Sequence, residues 1–394
     1  MSSPFTRLAA RRGHLESGNL LRSLTEVIQK VPGGINLGQG VCDMDSPAPL
    51  RQGAVDSITG GTDRQTYTPY AGVPELRARI SERLRDLYGL AYAPEQVAVT
   101  TGSSAAFFAA AMALFDPGDE VVLFEPFYPY HRSQLQLLEL VPRFVRLRPG
   151  DLALDPEALR RALGPRTRGI VLNTPANPSG KVFSRAELDQ VGALLAGSDV
   201  VVLTDEVYEH MCYDGRAHVP PAAVPSLAGR CVTISSFSKT FSVTGWRIGY
   251  LAGPARVVDA IGLVFDQINV CAPRPLQRGV ERALRELPAS FYRDVQETYQ
   301  RKRDRFVAAL RQCGFAPQVP QGAYYVLADY RGVFGDLEPH PAVLAMIERF
   351  GINGVPGHVF HEDPRGVRTI RFHFAVADEV LTEVCRRFAA GRRG

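Results

Sequence analysis

The sequence predicts an α/β protein, with a large domain built around a mainly parallel sheet and a smaller α+β domain beside it. Three observations carry that expectation. The chain runs to 394 residues, which fits one large domain plus a lesser one better than a single small core. Between residues 97 and 255, apolar runs alternate with helical stretches. Strands this continuously apolar suit a parallel sheet covered on both faces. Beyond residue 290 the rhythm changes to one long charged helix followed by shorter mixed elements.

Taken in order, "VAVTTG" reads as a strand running into the Ala-rich helix "SSAAFFAAAMALF". "DPGDE" is a turn, and "VVLFEP" is the next strand. "DPEALRRAL" is helical, with Asp155 suited to cap it. "GIVLNTP" is a short buried strand and "RAELDQVGALLAG" another helix. "DVVVLTDEVY", "CVTISSFS" and "RIGYLAG" are further strands that end in polar or small residues. The second domain holds the charged helix "SFYRDVQETYQRKRDRFVAALRQ", then "GAYYVLADY", the helical "AVLAMIERFG" and "VRTIRFHFA". The expected division is 46–285 for the large domain, against 1–45 together with 286–394.

Composition excludes several classes. A net charge of +4, with basic runs as short as Arg11–Arg12 and Arg301–Lys302–Arg303, gives no continuous patch for nucleic acid or an anionic membrane. None of the six cysteines forms a C-x-x-C pair, so no zinc ribbon or redox motif is present and no metal is expected. No apolar run is long enough to span a bilayer and no signal peptide is visible. The expected location is the cytoplasm.

In open α/β sheets, ligands bind at the carboxyl ends of the strands, so the residues that follow each strand are the ones to inspect. Gly102, Ser103 and Ser104 follow the first and open a helix. Backbone N–H groups and hydroxyls at a helix start can hold an anion such as phosphate, although small residues there also simply permit tight packing. Ser236 and Arg247 could close on the same anion, arginine being suited to bidentate phosphate contacts. Neither G-x-x-x-x-G-K-[ST] nor G-x-G-x-x-G occurs, which argues against a P-loop and a dinucleotide fold. Asp205 ends the apolar run "VVVLTD". A buried carboxylate is costly without a partner, so it either caps or pairs within the protein or meets a protonated ring nitrogen. In the second case Tyr208 and Asn177 could bond a phenolate oxygen on the same ring. Lys239, in "SSFSKTFSVTGWRIGY", is one of four lysines in an arginine-rich chain. It is either an ordinary surface lysine or an amine kept to form a Schiff base with an aldehyde, which a guanidinium cannot do.

With these residues in hand, "SSFSKTFSVTGWRIGY", "NTPANPSGKVF", "TDEVYEHMCYDG" and "TGSSAAFFAAAMALFDPGDEVVLFEPFYPY" resemble the class I/II aminotransferases. These are pyridoxal-phosphate enzymes with the aspartate-aminotransferase fold, fold type I. "INLGQGVCDMDSP" and "IRFHFAVADEV" resemble the ends of the same pattern, so the likeness covers roughly residues 20–385. The nearest branch is that of the kynurenine, glutamine and methionine aminotransferases.

The resemblance implies a role for each site residue. Lys239 would carry the cofactor, Asp205 would pair with its ring nitrogen, and Asn177 and Tyr208 would bond its phenolic oxygen. Gly102, Ser103, Ser104, Ser236 and Arg247 would hold its phosphate, and Tyr128 would stack on its ring. Tyr67, in "QTYTPYAG", would reach the phosphate of a neighbouring subunit, which implies a homodimer. Arg371 would clamp the substrate α-carboxylate beside the backbone of Gly40. Two residues depart from the pattern. His358 stands where a small residue is usual, and Arg274 where Thr or Ser is common. Each either shapes specificity or lies on the surface.

The expected reaction moves an amino group from an L-amino acid to a 2-oxo acid in two half-reactions. Cysteine-conjugate β-elimination and arginine oxidation are alternatives on the same cofactor. A cofactor-sensing regulatory module is a further alternative, disfavoured because no helix-turn-helix extension precedes residue 20.

Overall fold

The computed structural model describes residues 16–42, 44–60 and 65–391. Among the described residues the strands, in chain order, are β1 (Ile35–Asn36), β2 (Val97–Thr100), β3 (Glu120–Glu125), β4 (Val141–Arg146), β5 (Thr167–Asn173), β6 (Val201–Asp205), β7 (Cys231–Ser236), β8 (Gly249–Ala252), β9 (Ala316–Pro317), β10 (Tyr325–Asp329), β11 (Ile352–Asn353), β12 (Val355–Pro356) and β13 (Thr369–His373). A seven-stranded sheet has the order β2-β8-β7-β6-β5-β3-β4. Its strands are mutually parallel except β8, which runs antiparallel to both β2 and β7.

The strands β2, β3, β7 and β8 are buried at every position, as continuous apolar runs require when helices cover both faces. The edge strand β4 differs. Its sequence VPRFVR is mostly accessible, so its proline and arginines hide it from a search for buried runs, while its backbone still pairs with β3 along the whole length. Helix starts follow local chemistry. Asp155 accepts from the amides of Glu157 and Ala158 ahead of helix Pro156–Ala162. Ser184 and Glu187 form a reciprocal capping box at helix Arg185–Leu194.

A second sheet, β12-β13-β10-β9, is antiparallel, and β1 pairs in parallel with β11. One apolar core gathers Leu24, Ile28 and Leu37 with Tyr299, Phe306, Phe372 and Phe388. The sheet of the large unit has its own cores on its two faces. Phe291, at the start of the long helix Ala289–Cys313, packs against both units. We propose the domain division at 46–285 against 1–45 with 286–394. Residues 1–15, which include Arg11–Arg12, and 392–394 lie outside the described residues. Among the described residues no helix is long and apolar enough to cross a membrane.

Candidate active site

The carboxyl ends of β2, β3, β5, β6 and β7 lie along one edge of the large sheet. Because β8 runs the other way, it is its beginning that lies there, with Gly249 opposite Ser236 and Thr100. Arg247, just before β8, therefore joins residues that come after the other strands. A cavity of about 790 Å³ opens at this edge. Its lining includes Gly40, Ser103, Ser104, Tyr128, Asn177, Asp205, Tyr208, Ser236, Lys239, Arg247 and Arg371.

One end of the cavity is built for an anion. Gly102 precedes helix Ser103–Leu114 at φ 82°, and a Cβ there would come within 2.5 Å of a guanidinium nitrogen of Arg247. Glycine thus lets the helix start and the arginine approach each other closely. Arg247 itself takes a left-handed backbone (φ 57°) and donates to the Thr244 carbonyl at 3.0 Å. Ser236 caps the short helix Phe237–Thr240, accepting from the amide of Ser238. Serine hydroxyls, a helix N-terminus and an arginine thus converge on one end.

Deeper in, one carboxylate oxygen of Asp205 lies 3.0 Å from Nε2 of His131, whose ring stacks on Phe107. The other oxygen, Oδ1, is buried with no hydrogen-bond partner among the described residues. The Tyr208 hydroxyl is 3.3 Å from that of Tyr325. Burial, with the Tyr325 phenol beside it, pushes the Tyr208 phenol well above its usual pKa, so it stays a donor. The Nζ of Lys239 lies 3.4 Å from the carbonyl of Gly40 and faces the Tyr324 ring. A Cβ at Gly40 would overlap the Tyr325 hydroxyl, so a larger residue there would displace that phenol.

Arg371, on β13, is 4 % exposed. It donates to Oδ1 of Asn177 at 2.9 Å and to the Gly38 carbonyl at 2.6 Å, and its guanidinium lies over the Tyr325 ring. Its Nε is buried without a partner, and no ion pair reaches it among the described residues. A buried cation lacking a counter-ion is costly, which leaves the site poised for an anion.

Several predicted residues lie elsewhere. Tyr67 is not in this cavity but is 79 % exposed on the surface. Arg274 binds the carbonyls of Thr66 and Tyr67 rather than facing the cavity. His358 is half-buried in the short turn Gly357–Phe360, away from the cavity lining. Conversely, sequence reasoning missed His131, Tyr324 and Tyr325. The only signal for His131 was its place three residues after Tyr128. The paired tyrosines in "GAYYV" looked like core residues of a strand.

The family model for aminotransferases of class I and II matches residues 32–388. The chain belongs to the class I and II aminotransferases. It is 35% identical to a probable N-succinyldiaminopimelate aminotransferase of Mycobacterium tuberculosis, over 91% of this chain and 92% of that one. It is 34% identical to the human kynurenine–oxoglutarate transaminase 1, over 89% of this chain and 90% of that one. The solved N-succinyldiaminopimelate aminotransferase of M. tuberculosis superposes with a TM-score of 0.92 at 34% identity, covering 98% of this chain and 100% of the other. A methionine aminotransferase from Escherichia coli gives a TM-score of 0.90 at 31% identity, over 94% of this chain and 97% of that one. This aminotransferase is a pyridoxal-phosphate-dependent enzyme of fold type I that transfers amino groups.

The cavity fits that cofactor. The orphaned Oδ1 of Asp205 would be satisfied by a protonated ring nitrogen, the anion end by a phosphate, and the amine of Lys239 by an aldehyde.

Proposed function

We propose that Lys239, Asp205, Tyr208, Asn177 and Arg371 are the working residues of this aminotransferase, acting on an L-amino acid and then on a 2-oxo acid in alternating half-reactions. The observation that carries this reading is that the cavity holding Lys239 also contains two buried groups without partners among the described residues, Oδ1 of Asp205 and Nε of Arg371. One suits a cationic ring nitrogen and the other a substrate carboxylate.

Bound pyridoxal phosphate supplies an aldehyde carbon and a protonated ring that takes up the electron pair released at the substrate α-carbon. The protein residues do the rest. Gly102, Ser103, Ser104, Ser236 and Arg247 would hold the phosphate, and Tyr128 would pack against the ring. His131 holds Asp205 through the 3.0 Å contact, so the free oxygen keeps one direction. Tyr208 and the Asn177 side-chain amide would donate to the phenolic oxygen. Arg371, aimed by Asn177 and the Gly38 carbonyl, orients the substrate by its carboxylate next to Gly40. Lys239, its amine near the Gly40 carbonyl, would be the base that takes and carries the substrate α-proton.

The reading extends to a homodimer working in the cytoplasm. Support comes from Tyr67, an exposed aromatic whose matched role needs a partner's phosphate, and from Cys42, Cys212 and Cys231, buried as free thiols, as a reducing compartment would keep them. Product analysis tests the reaction. A 2-oxo acid matching the donor, formed in step with amination of the acceptor, is expected. Pyruvate with ammonia from a cysteine conjugate, or oxygen uptake with arginine, would redirect it.

A further inference from the structure

Tyr67 combines an exposed side chain with a tightly fastened backbone. At 79 % it is the most exposed large apolar side chain among the described residues. Yet Arg274 donates from Nε to the Thr66 carbonyl at 3.1 Å and from a terminal nitrogen to the Tyr67 carbonyl at 3.0 Å. Gln277, fully buried one turn later, donates to Oγ1 of Thr68 at 3.3 Å and accepts from the amide of Val73 at 2.8 Å. Tyr70 is tied to Asp259 and packs where Gly262 leaves room. Ordering a loop costs conformational entropy, a cost with no return if the side chain it carries is simply left in water.

Arg274 is also unfavourably placed for its own helix. It is the first residue of Arg274–Glu286, with no acidic residue in the first turn, so its charge opposes the positive end of the helix dipole. The two carbonyl oxygens offset that repulsion. A planar guanidinium fork can hold both at once, whereas an ammonium is a single point charge.

We propose that Arg274 and Gln277 form a clamp that aims Tyr67 out of its own subunit, so that its phenol completes the phosphate end of the cavity in a second copy of this chain. This rests on the role of Tyr67 given under Proposed function. Arg274 is thus a positioning residue that acts through Tyr67, and its departure from the family pattern concerns assembly of the site rather than recognition of the substrate side chain.

The test compares Tyr67→Phe, Arg274→Ala, Arg274→Lys and the Tyr67→Phe/Arg274→Ala double variant as full-length proteins. Apoprotein is titrated with pyridoxal phosphate, followed by cofactor absorbance, and the thermal midpoint of the apoprotein is read alongside. Tyr67→Phe and Arg274→Ala should each weaken cofactor binding about tenfold, the loss of one hydrogen bond to a charged group. The double variant should be no weaker than either, Arg274→Lys should recover only part, and the thermal midpoint should barely move. In hybrid dimers with Lys239→Ala subunits, the Arg274→Ala subunit's own site receives an intact Tyr67 and should bind the cofactor as wild type does. If Arg274→Ala leaves affinity unchanged while Tyr67→Phe weakens it, or if the two losses add, the clamp is refuted and the role of Tyr67 stands. If the hybrid site stays weak, Arg274 acts inside its own subunit, which also refutes the clamp. If Tyr67→Phe leaves affinity unchanged in a dimer, the underlying reading falls and the clamp with it.

Discussion

Replacing Arg371 with alanine should remove recognition of the substrate carboxylate while sparing the fold. In the protein the guanidinium has neutral acceptors only, Oδ1 of Asn177 and the Gly38 carbonyl, and its Nε has no partner. The substitution therefore breaks no ion pair among the described residues. It leaves these acceptors short of a donor but also removes a buried charge without a counter-ion, and the two effects oppose each other in the stability balance. Binding changes more. A carboxylate held by two charge-assisted hydrogen bonds at about 1.5–3 kcal/mol each is worth about 3–6 kcal/mol in all. At about 1.36 kcal/mol per tenfold, that is a loss of about 10² to 10⁴ in the rate of the amino-acid half-reaction. The assay mixes cofactor-loaded enzyme with excess donor in a stopped-flow spectrometer and follows the cofactor absorbance, once with amino acids and once with amines that lack a carboxylate. The amino-acid reaction should fall by that factor and the amine reaction far less, with the thermal midpoint within a few degrees of wild type. Equal losses for both donor types, or gross unfolding of the variant, would show that Arg371 supports the structure instead of recognising the substrate.

Borohydride reduction followed by peptide mapping should place the pyridoxyl group on Lys239; a label on Lys30, Lys181 or Lys302 would overturn its assignment. Lys181 and Lys302 are poor candidates physically, being buried and ion-paired with Glu187 and Asp378. Removing the His131 contact with His131→Phe should slow turnover about 10- to 100-fold, the range for one hydrogen bond to a charged group, with little change in amino-acid KM; unchanged kcat would refute its support of Asp205. Acid should destabilise the fold in a defined window. Burial, with Arg146 nearby, lowers the His361 pKa from 6.5 to about 4, so the unfolded chain binds that proton first. Its stabilising contribution is complete above 6.5 and is lost as pH falls toward 4. His361→Gln should flatten that part of a urea-midpoint profile, and an unaltered slope would exclude His361 as its source. Sedimentation in the presence of pyridoxal phosphate should give a dimer; a fully active monomer at working dilution would rule the homodimer out.

Local chemistry made much of this enzyme legible in its amino acids. Continuous apolar runs marked the buried strands, because a strand covered on both faces has no polar side to display. Asp155 marked a helix start through its side-chain oxygen. The lysine in "SSFSKTF" stood out because an amine does chemistry that a guanidinium cannot, and the quoted motifs carried the family with it. What the chain order alone could not supply depends on which distant residues meet. The edge strand Val141–Arg146 shows its side chains to water, so only its backbone pairing with β3 identifies it. The reversed direction of β8 is invisible in its residues, yet it brings Arg247 to the same edge as Gly102. His131, Tyr324 and Tyr325 read as helix or core residues until folding sets them against Asp205, Gly40 and Tyr208. Arg274 could have faced the substrate or the solvent, and tertiary contact directs it to the Thr66 and Tyr67 carbonyls. Residue type limits what each group can do, whereas its role depends on which partner comes within hydrogen-bond reach, and that is a property of the folded chain.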